Sequence, residues 1–93
     1  MNNPRETLLF RKDQLCRQIQ QSLDLLQGSL HKNPSQRGYH LTYKTAQKTR
    51  TRDGRQELVA RVRLMTRNHL QVRRLLTRLS DVNWRLLQRP AED

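Results

Sequence analysis

Along the second half of the chain, Leu58, Val62, Met65, His69, Val72, Leu76, Leu79, Asn83 and Leu86 follow one another at alternating spacings of four and three. That heptad seam predicts a long helix over 54–88 that buries one edge against another helix. No Pro or Gly interrupts 56–87, so nothing in the sequence stops the helix early. At ~1.5 Å per residue, that stretch makes a rod of roughly 48 Å. His69 and Asn83 are the polar members of the seam, and polar groups there set register or oligomeric state. His69 reads as a spacer rather than a ligand, since no other His, Cys or carboxylate lies one turn away.

The first half carries a shorter helical pattern. Leu8/Leu9, Leu15/Cys16, Ile19, Leu23 and Leu26 form an apolar stripe, with Lys12 in one slot. Asn3 is a capping residue, Pro4 suits the first helical position and Glu6 completes a capping box. The spacing predicts a helix over 4–27 with Gly28 as its stop, and Cys16 as a small core residue. Gly, Ser and Asn-Pro mark 28–38 as loop. Tyr39, Leu41, Tyr43 and Thr45 then alternate with polar neighbours, as do Lys48, Arg50 and Arg52 with Thr49 and Thr51, which predicts a β-hairpin over 39–52. Ala46-Gln47 lacks the Gly or Asn of a tight hairpin turn, so a longer tip is expected. Asp53 and Gln56 supply a capping box for the second helix. Arg89-Pro90 ends it, leaving a tail over 89–93.

These elements fit one domain over 1–93 of mainly α class. The expected architecture is an antiparallel, coiled-coil-like pair of long helices with a short β-hairpin at the turn end. The second helix outruns the first and carries apolar residues outside its seam. Leu70, Leu75, Val82, Trp84 and Leu87 therefore form the expected interface of a homo-oligomer.

Charge changes the picture. Of 93 residues, 19 are Lys or Arg and 8 are Asp or Glu, a formal net charge of +11. Arg63, Arg67, Arg74, Arg78 and Arg85 lie on the helix face opposite the seam, with too few acids to neutralise them. Such a face favours a polyanion, and nucleic acid is the expected partner, DNA ahead of RNA. The expected contact residues are Lys44, Lys48, Arg50, Arg52, Arg55, Arg61, Arg63 and Arg67, with Tyr39 and Tyr43 as stacking platforms. Packing of the hairpin on the helix ends is the competing role for both tyrosines, which share a face with Leu41.

Other chemistry is missing. The sequence has no phosphate-binding Gly loop, and Asp13, Asp24, Asp53 and Asp81 are scattered, without the paired carboxylates of a two-metal centre. Cys16 is the only cysteine, and His31 and His40 read as surface loop residues. No catalytic residue, cofactor or structural metal is expected, and the chain is not read as an enzyme. No apolar run has signal or membrane-spanning length, so a cytoplasmic protein without membrane attachment is expected.

Leu26-Gln27-Gly28-Ser29-Leu30, Gly38-Tyr39-His40-Leu41-Thr42-Tyr43-Lys44, Lys48-Thr49-Arg50-Thr51-Arg52 and Glu57-Leu58-Val59 occur in that order. Over roughly residues 22 to 87, the chain resembles an uncharacterised small bacterial family of helix–hairpin–helix proteins encoded beside transposases. That family has a Cys-rich knuckle where this chain has His31-Lys32-Asn33-Pro34-Ser35-Gln36-Arg37, so no zinc role carries over. The resemblance implies a nucleic-acid-handling accessory of a mobile element and names no reaction. The alternative is a protein-interaction module that oligomerises and docks on a transposase, reverse transcriptase or nuclease.

Overall fold

The computed structural model describes residues 3–32 and 38–89. In chain order, helix α1 (Pro4–Gln21) is followed by strands β1 (Ser29–Lys32), β2 (Tyr39–Thr45) and β3 (Lys48–Gly54). A 3-10 turn (Gln56–Leu58) then leads into helix α2 (Val59–Gln88). The chain is mainly helical, with two helices flanking a three-stranded antiparallel sheet of order β1-β2-β3. It divides into two compact units, Met1–Leu23 with Gln71–Asp93, and Asp24–Leu70.

In the first unit, the Asn3 side chain accepts from the Arg5 N–H at 3.0 Å, capping α1 as its sequence indicates. Leu8 and Leu15 of α1 are buried with Leu75 and Val82 of α2, and Ile19, Leu79 and Leu86 pack around them. Arg5 Nη1 donates to the Arg89 carbonyl at 2.7 Å, so the start of α1 meets the end of α2. The buried seam of α2 differs from the one that spacing suggests. Leu76, a seam residue by spacing, is 49% exposed, whereas Leu75 is 1% and Val82 2% exposed. Val72, Leu75, Leu79, Val82 and Leu86 keep the alternation of three and four with an apolar residue at each position. That register buries more apolar surface than one running through Asn83. Leu75 and Val82 are consequently core residues rather than oligomer surface, while Leu70, Trp84 and Leu87 remain exposed. Cys16 is exposed too, not part of the core.

α1 stops at Gln21, six residues before the expected end. The Ser22 N–H donates to the Ile19 carbonyl at 2.9 Å and its Oγ to the Gln18 carbonyl at 3.0 Å, closing the last turn. From Asp24 on, the chain belongs to the second unit, where tertiary bonds replace helical ones. Asn68 Nδ2 donates to the Asp24 carbonyl at 2.7 Å, the Leu26 N–H to the Met65 carbonyl at 3.1 Å, and Arg61 pairs with the Asp24 carboxylate.

The expected loop over 28–38 holds a strand instead. β1 pairs with β2 over its whole length, from Ser29 opposite Thr42 to Lys32 opposite Tyr39. Residues 33–37 of that loop and 90–93 of the expected tail lie outside the described residues. β2 and β3 form the expected hairpin, extended to Gly54. Its tip is tight after all: Thr45 opposes Lys48, and Ala46 supplies the turn with a φ of 50°. Asp53 does not cap α2, because it is held in β3 opposite His40. A 3-10 turn preceded by Arg55 starts the helix, with no side-chain cap. No described helix is long and apolar enough to cross a membrane.

Candidate functional site

Pleating sorts the sheet residues into two faces, because residues opposed in register share a face. One carries Leu30 and Lys32 from β1, Tyr39, Leu41, Tyr43 and Thr45 from β2, and Lys48, Arg50 and Arg52 from β3. The other carries Ser29, His31, His40, Thr42, Lys44, Thr49, Thr51 and Asp53. Leu41 is the buried centre of the first face. The charges of β3 thus stand beside the sheet's apolar residues.

Each β3 arginine is steered by a β2 neighbour. Arg50 Nε donates to Thr45 Oγ1 at 3.2 Å, and the Arg52 guanidinium lies over the Tyr43 ring, 4.7 Å from its centroid. Both guanidiniums lean toward the hairpin tip, where Lys48 lies opposite Thr45. Residues two apart in a strand are ~6.6 Å apart, so Lys48, Arg50 and Arg52 form a regular cationic row. All three are exposed, and among the described residues no ion pair engages them.

The remaining expected contacts are dispersed. Lys44 lies opposite Thr49 on the other face of the sheet. Arg55 is exposed in extended backbone just before the 3-10 turn. Arg61 is occupied by Asp24 and anchors the segment between α1 and β1. Arg63 lies over the Tyr39 ring, 5.8 Å from its centroid, and Arg67 is exposed one turn further along α2. Tyr39 and Tyr43 are both half-buried, each with a guanidinium over its ring, an arrangement worth about 0.5–1 kcal/mol per pair at such sites. Each ring thus supports an arginine. That role was hidden in the sequence, because the partner of Tyr43 is diagonal across the hairpin and that of Tyr39 lies on a helix.

His31 and His40 oppose each other on β1 and β2, with ring centroids 5.4 Å apart and stacked. They are strand residues rather than loop residues. Among the described residues, no three His, Cys, Asp or Glu side chains group as metal ligands would. Comparison of the chain with protein-family models, curated proteins and solved structures gives no match in any of the three.

Proposed function

We propose that this chain is a non-enzymatic nucleic-acid-binding protein that grips the phosphate backbone through β3. The observation that carries the reading is the row Lys48, Arg50 and Arg52: exposed, regularly spaced, its two arginines steered by Thr45 and Tyr43, and without a described acidic partner. Side chains already oriented lose less entropy on meeting a ligand. Beyond Thr42 only β2 and β3 remain paired, and such a two-stranded tip, with Lys48 and Arg50 on it, fits the major groove of duplex DNA, where guanidiniums reach phosphates with charge-assisted bonds. Arg55 adds a charge just past the end of β3, off the row's alternation, and Arg61 contributes less because it is paired with Asp24. The net charge of +11 steers the encounter. Service to a mobile element follows from the sequence resemblance alone.

Replacing Lys48, Arg50 and Arg52 together by Gln tests the reading. The loss of three phosphate contacts flattens the log-log salt slope of duplex binding by about 3 and weakens binding by orders of magnitude at low salt. Unchanged binding makes the row structural and refutes the proposal.

A second reading, a protein-interaction module, is favoured by the apolar residues left outside in the helical unit. Leu9, Phe10, Trp84 and Leu87 are 44%, 63%, 60% and 76% exposed. In this reading, α1 and the later half of α2 act as an antiparallel, coiled-coil-like pair completed by a second copy. The assembled copies dock on a nucleic-acid enzyme such as a transposase. The two readings are compatible, and salt separates them: phosphate binding falls steeply with salt, whereas apolar association does not.

A further inference from the structure

Within the sheet-bearing unit, a cleft of about 480 Å³ opens between Tyr39 and the first turns of α2. Its apolar lining is Val59, Ala60 and Leu64, and its polar lining is Gln56, Arg63 and Arg67. The volume lies in the range of small-molecule sites, ~300–1,000 Å³, and the cleft is an open one, with Ala60 and Leu64 exposed beside a few polar groups. Among the described residues no carboxylate lines it. Arg63 and Arg67 are exposed residues four apart on one helix face, so both line the same side of the opening.

Each component selects the same kind of ligand. Two guanidiniums beside an uncompensated opening take a phosphate with bidentate bonds. Arg63 stands over the Tyr39 ring, and both the ring and the planar guanidinium are surfaces on which an unpaired base stacks. The Gln56 amide offers both a donor and an acceptor to a base edge. A base inside a duplex is stacked and paired, so its flat face is closed to such a site; an unpaired base is not.

We infer that this cleft takes one unpaired nucleobase together with its phosphate, a role that rests on the nucleic-acid reading above and adds a single-strand preference to it. The β3 row holds backbone of either form, and the cleft engages only a strand with an unstacked base.

The full chain is titrated against a single-stranded dT decamer carrying one central 2-aminopurine, and against a blunt duplex of equal length. The parent binds the single strand and changes its 2-aminopurine fluorescence. Ala60→Trp, which fills the cleft, lowers single-strand affinity at least tenfold, abolishes the fluorescence change and leaves duplex affinity within twofold. If circular dichroism shows Ala60→Trp misfolded, Arg63→Gln/Arg67→Gln carries the test, with the same loss of the fluorescence change. Release of the strand by dAMP but not by equal inorganic phosphate assigns the cleft to a nucleotide from any source. No release by either, with the variant's loss intact, assigns it to a nucleotide within a strand. Equal release by phosphate overturns the base part of the inference. Variants that bind the single strand like the parent, with duplex binding retained, overturn the cleft and leave the β3 reading standing. A parent that binds neither form overturns both.

Discussion

Gly28 has a φ of 137°, and a Cβ there would lie 2.6 Å from the Thr42 carbonyl oxygen and 3.0 Å from Leu41 Cδ1. The residue that reads in sequence as a helix stop is instead where the chain enters β1 pressed against β2. Gly28→Ala brings backbone strain and a steric conflict with the sheet, so chemical denaturation should show a loss of about 2 kcal/mol or more. Ala46 poses the opposite case. Its φ of 50° places an L side chain in the left-handed region at a cost of about 1 kcal/mol, and the residue is exposed. Ala46→Gly should relieve that strain and raise stability by about 0.5–1 kcal/mol in the same measurement.

At the scale of elements, α2 shows how far periodicity reaches. A seam through Leu76 and Asn83 and one through Leu75 and Val82 share Val72, Leu79 and Leu86, and both alternate three and four. Spacing therefore announces the helix without choosing its face. Leu75→Ala leaves a hole in the helical core and should cost about 3 kcal/mol; Leu76→Ala, half-exposed, should cost under about 1 kcal/mol. Thermal unfolding of the two variants distinguishes the registers. The hairpin was legible because Tyr39, Leu41 and Tyr43 alternate with polar residues, and the β3 row because Lys48, Arg50 and Arg52 do. β1 was not: Ser-Leu-His-Lys carries a single apolar residue, and pairing with β2 rather than pattern makes it a strand. The early end of α1 was hidden for a related reason. Leu23, Leu25 and Leu26 continue an apolar run, yet Asp24 and Leu26 bond to Asn68 and Met65, partners more than thirty residues away. The Arg61–Asp24 pair belongs to those same distant contacts, and the cleft brings Tyr39 of β2 to residues 56–67, so neither was visible from spacing.

At the scale of the molecule, two surfaces ask for partners. Apolar residues stand outside in the helical unit: Trp84 is 60% and Leu87 76% exposed, in addition to Leu9 and Phe10. If a second copy covers them, sedimentation at roughly tens of micromolar chain should give a species larger than one chain, at high salt as well as low. Trp84→Glu/Leu87→Glu should return it to the monomer; a parent that is already monomeric removes self-association from the account. The other surface is the charge, +11 on 93 residues, for which nucleic acid is the proposed partner. The direct measurement is the duplex-DNA binding constant of the parent as a function of monovalent salt. Contacts from Lys48, Arg50, Arg52 and Arg55 predict a log-log slope of about −3.6. A slope near zero, or no binding at low salt, would contradict the account.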